Sequence, residues 1–556
     1  MKQESACAPE KPFLNCQTLS FNRIPNQSPL FLDFQENAPK LDRFYPEKQT
    51  AQTDFAEKVL KHYRVNRAEL FDILTETNKS FRTGEKTFAN IELLREQDCV
   101  AIVTGQQAGL FSNALYTIYK ALSAIRLAED LCRQHIKAVP VFWIAEEDHD
   151  FAEVKTMSAV DKEGKLVEFE NIPKNYAENF PVGFIEFDET IKETIKSLFE
   201  TLPRTEFSDE LKKILSETYQ AGETYSTAFA KFLARIFSAY GLIFISPLNE
   251  KLKKLCAPIF AEVVEKSDKI ISALLARSAE LESQNYQVQV LAAEDSFPFF
   301  YQNGNGERQP LRRNLENEKI KVSRSKIEFD KAQLVEIAYT SPQNLSPNAL
   351  LRPVVQDYLL PTLVYFGGAA EVAYFAQNSV IYEILNRPVT PIHHRASFTV
   401  IEPKHARTLK KYELDFLDLF VGKEQILAQV VEKFLSATTA KVFAEVEEII
   451  NTQLNRLDKS LIKSEPTLSA NLINRRKKIL WHLGALRKKY HRAEIQKNEI
   501  VQRRIENLFT TLLPHNFLQE RTLNLATFLN LYGTNFVGWI YDAIETNEKE
   551  HQILYL

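Results

Sequence analysis

Two apolar runs in this chain stop abruptly at clusters of polar side chains, and that pattern constrains the fold more than any other. The first is Cys99-Val100-Ala101-Ile102-Val103, followed by Thr104-Gly105-Gln106-Gln107. The second is Val139-Pro140-Val141-Phe142-Trp143-Ile144-Ala145, followed by Glu146-Glu147-Asp148-His149-Asp150. Short apolar runs without alternation fit strands buried on both faces, as in a parallel sheet covered by helices. Between them, Phe111 to Leu131 carries Leu115, Ile118, Leu122 and Ile125 on one stripe, which predicts a helix. A right-handed crossover through that helix sets the two strands parallel. Open α/β sheets bind ligands at the carboxyl ends of their strands, so both polar clusters stand where chemistry is expected.

At 556 residues the chain exceeds one compact core and predicts three or four structural units. The formal net charge of −4 gives no global reason to bind nucleic acid or membrane. Five cysteines (Cys7, Cys16, Cys99, Cys132, Cys256) are dispersed, with no CxxC and no Cys/His pair at zinc spacing. They fit reduced thiols in the cytoplasm and predict no structural metal. Met1 to Pro12 lacks the apolar segment of a secretory signal. The most apolar long window, Tyr358 to Ala376, contains Pro361, Gly367-Gly368 and Glu371. It reads as strand, turn and helix and not as a membrane span.

Residues 1–155 hold the first part of the sheet domain, opening with proline-punctuated loops and helical stretches such as Thr53 to Lys61. A polar stretch, 156–218, is a first insertion. Residues 219–283 resume with helix Tyr225 to Tyr240, strand Gly241 to Ile245 and a helix from Glu250. A second insertion, 284–348, is rich in β-branched and aromatic residues and carries the hairpin signal Asn303-Gly304-Asn305-Gly306. Residues 349–425 complete the sheet with strand Thr362 to Phe366, helix Ala369 to Leu385 and strand Val389 to Ile392. From 426 to 513 long charged helices are broken once, at Ser464-Glu465-Pro466. Ile479, Leu483, Leu486, Tyr490, Ala493 and Ile500, with Lys497 the one polar member, form a heptad seam. The region predicts an antiparallel coiled-coil arm, and 514–556 reads as helices packed back on the body.

Each constellation has a functional and a structural reading. Gly105 permits close approach of a ligand, and a helix start beyond Thr104-Gly105-Gln106-Gln107 suits a phosphate or carboxylate; alternatively the amides cap a tight turn. Glu146 to Asp150 packs four carboxylates and an imidazole into five positions, which needs a cation, an amine or solvent as partner. Its functional readings are amine binding, Mg²⁺ binding or a carboxylate–histidine base, against a solvated acidic loop. In His393-His394-Arg395 adjacent histidines do not share a strand face, so a bidentate metal site is not expected. Arg395 and Thr399 could face a phosphate, or Arg395 could pair with a carboxylate such as Glu371; Arg352 carries the same ambiguity. Glu371 falls in a first helical turn, where a carboxylate is favoured for its charge alone. Between Arg475 and Arg504, eleven Lys/Arg face two Glu. No base-reading motif accompanies them, so a solvated flank or pairing with acidic residues is preferred over nucleic-acid binding.

Together the segments Val103–Phe111, Leu115–Ile125, Pro140–Val154, Leu351–Leu363, Gly367–Ala376, Arg395–Glu402 and Leu518–Gly533 resemble one family, the cysteine-adding enzymes of bacillithiol biosynthesis. The match runs through nearly the whole chain in the same order. The resemblance implies an α/β fold with a Rossmann-like parallel-sheet core related to class I synthetases. Two inserted connecting regions and a C-terminal α-helical coiled coil used for homodimerisation go with it. It implies a ligase that attaches cysteine to the amine of glucosaminyl-malate, with ATP and Mg²⁺ activating the carboxylate. The catalytic set is then His149, Asp148 and Asp150, with the imidazole as a base whose pKa the carboxylates raise. The binding set is Thr104, Gly105, Gln106, Gln107, Glu147, Arg352, Glu371, Tyr374, Arg395 and Ser397. The chain departs from the family pattern at Ser112-Asn113-Ala114, at Glu146, where a small residue is common, and at Ser246, where an acidic one is. Rival readings are another acyl- or nucleotidyl-transferase on the same core, and a non-catalytic assembly or nucleic-acid-binding protein using the basic arm.

Overall fold

The computed structural model describes residues 15–48, 51–304 and 306–556. Met1 to Pro12 with Cys7, and Asn305 of the hairpin signal, lie outside the described residues. Contacts divide the chain into two compact units, Met1–Thr399 with Glu520–Ile553, and Val400–Gln519 with Leu554–Leu556.

The first unit is built on a five-stranded sheet of β1 (Val100–Gln106), β2 (Ala138–Ile144), β3 (Ile243–Ile245), β4 (Thr362–Gly367) and β5 (Ile392–His394). Their spatial order is β5-β4-β1-β2-β3, and every neighbouring pair is parallel. The chain lays strands outward from β1 in one direction, then returns to β1's other side with β4. That reversal makes a topological switch point between β1 and β4, where the crossovers diverge to opposite faces and leave a crevice.

Alternating side chains assign the two faces. Ala101 and Val103 of β1, with Val139, Val141 and Trp143 of β2, pack among Leu70, Leu74, Ile91 and Leu94. Those four come from helices Arg67–Ser80 and Glu85–Leu94, so part of the first 95 residues serves to cover the sheet. Val100 and Ile102 face the other way, onto Ala124, Leu127 and Leu131 of α1 (Tyr116–Arg133) and onto Phe55 and Val59. With both faces covered, β1 and β2 can present polar groups only at their ends.

Several boundaries differ from the sequence reading. The helix expected from Phe111 begins at Tyr116, because Phe111, Ser112 and Asn113 have φ of 49°, 83° and 65°. Left-handed backbone costs a non-glycine residue about 1–2 kcal/mol, and here the C-terminal tail holds it. Asn524 donates its amide to Asn113 O at 2.7 Å, and Leu115 N–H donates to Leu523 O at 3.0 Å. The strand expected from Gly241 begins at Ile243, since Gly241 turns at φ +74°. The strand expected from Val389 is displaced to Ile392–His394, because Pro391 has no N–H for a ladder. The tail contains helices Leu525–Tyr532 and Asn535–Ala543, but its last element is a strand, His551–Tyr555.

The first insertion is a hairpin, Thr156–Val160 with Leu166–Glu170, followed by helices Thr190–Thr201 and Ser208–Thr218. The second forms a five-stranded antiparallel sheet in which Ser296–Gln302 pairs with Arg308–Arg313. After it come α2 (Arg352–Leu359), β4 and α3 (Ala369–Ile384).

The second unit carries two long helices, α4 (Ala437–Ser464) and α5 (Pro466–Gln496). Glu465 between them is extended (φ −148°, ψ 82°), as a residue before proline must be. The helices run antiparallel: Ser469 bonds Asp458, Arg476 bonds Asn451, and Tyr490 bonds Ser436. The heptad seam divides. Leu483 and Tyr490 are half-buried, while Ile479, Leu486 and Ile500 are 41%, 57% and 68% exposed. Arg476 and Arg487 turn inward with them, drawn by Asn451 and Glu432. Among the described residues no helix is long and apolar enough to cross a membrane.

Candidate functional site

The four carboxylates after β2 do not act as one group, because each finds a different environment. Glu146 is 3% exposed and accepts from the hydroxyls of Ser226 and Ser246 and from Leu248 N–H at 3.0 Å. Burial pushes its pKa up, against those three donors. Glu146 and Ser246, two of the departures from the family pattern, are thus in contact. Glu147, 7% exposed, forms a buried ion pair with Lys253, whose ammonium also donates to Leu345 O at 2.9 Å. Asp148 Oδ1 accepts from the backbone N–H of His149 at 2.7 Å, while Oδ2 accepts from Gln107 Nε2 at 2.7 Å. Asp150 is exposed. Only Asp148, His149 and Asp150 remain open to a ligand.

The His149 ring meets Arg308, not a carboxylate: Arg308 Nη1 lies 3.0 Å from Nδ1, and Asp148 Oδ1 is 3.9 Å away. Burial and the Arg308 charge lower the imidazole pKa, and Asp148 and Asp150 offset this only in part. The expected upward shift is therefore reversed, because burial first and the Arg308 charge second outweigh the two carboxylates.

At the end of β1 the four predicted residues separate. Thr104 is fully buried and donates its hydroxyl to Phe366 O at 2.8 Å, tying β1 to β4. Gly105 is a packing residue: a Cβ there would meet Trp143 O at 2.7 Å. Its smallness serves the approach of β1 to β2. The helix expected from Phe111 begins at Tyr116, so Gly105 does not lead directly into its amino end. Gln106 and Gln107 do face the strand ends. Gln106 Oε1 accepts from Lys120 Nζ at 2.9 Å and its Nε2 donates to the Tyr116 hydroxyl at 3.3 Å. Gln107, through Asp148, links the β1 and β2 loops.

The switch point itself holds a compact charged cluster. Lys120, 3% exposed, reaches from α1 to Gly105 O at 3.1 Å, to Gln106 and to the carboxylate of Glu371. Glu371 also accepts from Tyr365 OH at 2.6 Å and from Gly368 N–H at 2.7 Å, so it caps α3 and pairs a cation at once. Arg352 donates to Gln356 Oε1 and to the Tyr374 hydroxyl, both at 3.0 Å. Two cations thus stand against one carboxylate, and the cluster favours an anion.

Arg395 and Ser397 turn inward. Arg395 is 6% exposed and donates to Glu520 Oε1 at 2.6 Å and to Ala396 O at 2.9 Å. Its guanidinium lies 5.7 Å from the Tyr116 ring centroid, on the Gln106 side of the cluster. Ser397, 1% exposed, contacts Glu520 and His551 Nδ1 at 2.9 and 2.8 Å. These two hold the C-terminal tail in place. The strand that begins at Ser397, Ser397–Ile401, is buried on both faces.

Sequence reasoning passed over Lys120, Lys253, Arg308 and Glu520. Lys120 had a readable signal, a single charged residue in the otherwise uncharged run Tyr116 to Ile125. Lys253 hides in the run Lys251-Leu252-Lys253-Lys254, and nothing local distinguishes Arg308 or Glu520. Among the described residues no group of three His, Cys, Asp or Glu side chains is placed to hold a metal ion.

Comparison with known proteins bears on the whole chain. Residues 14–396 match the family described as bacillithiol biosynthesis BshC, N-terminal Rossmann-like domain. Residues 398–556 match bacillithiol biosynthesis BshC, C-terminal coiled-coil domain. A relative named "Putative cysteine ligase BshC" from Koribacter versatilis is 33% identical over 96% of this chain and 98% of its own. One of the same name from Solibacter usitatus is 32% identical over 97% of this chain and 100% of its own. A solved chain titled as an arginyl-tRNA synthetase from Campylobacter jejuni covers 88% of this chain and 98% of its own, at 9% identity. Its TM-score is 0.21, too low to bear on the expected kinship with class I synthetases. On the two matched domains and on relatives of this identity and coverage, the chain belongs to the bacillithiol biosynthesis BshC family.

Proposed function

We propose that this chain is an ATP-dependent cysteine ligase, joining the carboxyl of cysteine to the amine of glucosaminyl-malate in the last step of bacillithiol biosynthesis. The observation that carries this is the cluster of Lys120, Arg352, Gln106 and Glu371 at the β1/β4 switch point, with the Asp148–Asp150 loop on the next strand. A carboxylate does not acylate an amine unaided, because its oxygen is a poor leaving group. ATP supplies the activation, and the surplus positive charge of Lys120 and Arg352 suits its phosphates or the activated carboxyl. Magnesium carried on those phosphates would offset part of their charge. Gln106 and Gln107 offer amides at the junction of the two loops. Asp148 and Asp150 attract the ammonium form of the amino sugar.

The basic arm is read as a dimer element. Its exposed apolar residues, Ile479, Leu486 and Trp481 among them, suit a second copy of the chain better than a phosphate backbone.

Incubating the pure full chain with labelled ATP, cysteine and glucosaminyl-malate tests the reading. Mass spectrometry should find the cysteinyl amide, and release of AMP or ADP identifies the activation step. No amide and no nucleotide turnover with all three present would reject it. An amide formed only with a different amine would point to another acyl-transferase on the same core.

A further inference from the structure

The Arg308 guanidinium lies against one nitrogen of the His149 ring. A guanidinium has five N–H donors and no acceptor, so the 3.0 Å contact between Arg308 Nη1 and His149 Nδ1 requires a lone pair on Nδ1. A neutral imidazole that accepts at Nδ1 carries its hydrogen on Nε2. The alternative tautomer would press an N–H against an N–H.

Arg308 is not free to turn away. It is 7% exposed, its Nε donates to Ser346 Oγ at 2.9 Å and its Nη2 to Pro347 O at 3.0 Å. Its guanidinium carbon sits 3.7 Å from the Phe300 ring centroid, and its own backbone N–H donates to Asn179 O at 2.9 Å. Both insertions therefore pin it, the second through its sheet and the first through Asn179. Among the described residues no carboxylate competes as an acceptor for an N–H at Nδ1. Asp148 Oδ1 is 3.9 Å away and already accepts from two backbone N–H groups, those of His149 and Asp150. The groups facing the ring are Arg308, Asp148, Asp150 and Phe300, and the first of these, with burial, disfavours the imidazolium.

We propose that His149 serves as a neutral hydrogen-bond donor through Nε2–H, directed at an oxygen of the activated carboxyl, and that Arg308 is the positioning residue that fixes this tautomer. This rests on the ligase reading above and revises the role expected of His149 as a base. The proton shed by the attacking amine then goes to a carboxylate or to solvent, not to this ring.

Selective ¹⁵N labelling of histidine in the full chain, with His149→Gln to identify the signal, reads the tautomer directly near neutral pH. The expected spectrum shows protonated Nε2 and bare Nδ1. A protonated Nδ1 or an imidazolium overturns the proposal. In Arg308→Met the signal should move toward a mixture of tautomers or the imidazolium, and Arg308→Lys, which keeps a donor, should move it less. An unchanged spectrum in a folded Arg308→Met overturns the role of Arg308. Turnover separates donor from base. Glutamine can place an amide N–H near Nε2, so His149→Gln should lose about tenfold less than His149→Ala, for which removal of one such donor costs about 10²–10³-fold. Equal losses in the two variants overturn the donor role. If the wild-type tautomer is as expected but neither variant alters amide formation, the placement of the reaction at this loop fails and the tautomer assignment stands.

Discussion

Replacing Lys120 by methionine isolates the charge at the centre of the switch point. Methionine keeps most of the length and the apolar stem of a side chain that is 3% exposed, so packing is largely preserved. What disappears is the ion pair with Glu371 and the hydrogen bonds to Gly105 O and Gln106 Oε1. Glu371, its side chain 16% exposed, then keeps Tyr365 OH and Gly368 N–H as partners. Breaking one side of a buried pair costs about 3–5 kcal/mol, because the surviving charge is left uncompensated. Lys120→Met with Glu371→Gln removes the charge altogether, and the pair should show a coupling of about 2–3 kcal/mol. The pH dependence has a definite sign. Burial pushes the Glu371 carboxyl up, but Lys120, Tyr365 and Gly368 outweigh it and hold it below its ordinary value. A depressed folded pKa gives stability that is present above the unfolded carboxyl's range and lost as pH falls through the folded value. Lys120→Met should therefore lose less further stability in acid than the parent does. Urea unfolding followed by tryptophan fluorescence reads this, since Trp143 is 2% exposed within the sheet. Trp481, 68% exposed in the second unit, is replaced by phenylalanine in every variant. A loss under about 1 kcal/mol in Lys120→Met, or a double variant no more stable than that single one, would refute the reasoning.

Gly105→Ala should destabilise the first unit by about 1–3 kcal/mol in the same assay, because the new methyl meets Trp143 O, a backbone atom that moves only if β1 and β2 part. An unchanged urea midpoint would show that the strands can separate cheaply. His551 is fully buried between the Ser397 and Thr399 hydroxyls, and burial, against the opposing Glu520 charge, lowers its pKa to about 4. Its contribution is complete above the unfolded histidine value of about 6.5 and is lost as pH falls through the folded one, so His551→Gln should flatten stability across that window. An equally steep profile in the variant would exclude His551 as the source. Ile479→Glu with Leu486→Glu should convert a dimer to a monomer by light scattering, and a monomeric parent chain would remove the dimer reading of the arm.

How much of this was legible in the residues follows the range of the forces involved. The buried strands, the polar clusters at their ends, the covering helices and the proline break in the arm were all readable, since periodicity and backbone chemistry act over a few residues. The helix start was misplaced at Phe111 because a tail some four hundred residues away, through Asn524, stabilises a strained loop that local propensity would not choose. The packing role of Gly105 was hidden for a similar reason: its neighbour Trp143 is known only once β1 and β2 are in register.

The sequence by itself determined that a two-sided parallel sheet would form and that Gln106 and the Glu146–Asp150 loop would sit at its strand ends. Only the tertiary structure decided which charge meets which. Glu147 is matched to Lys253, Glu371 to Lys120, Arg395 to Glu520, and His149 to Arg308, which stands 159 positions further along the chain. Such pairings depend on strand register and on where an insertion folds back, and a few ångströms of displacement would exchange an attractive partner for none. No local pattern encodes that distance, so the state of the His149 ring could be read only from the assembled molecule.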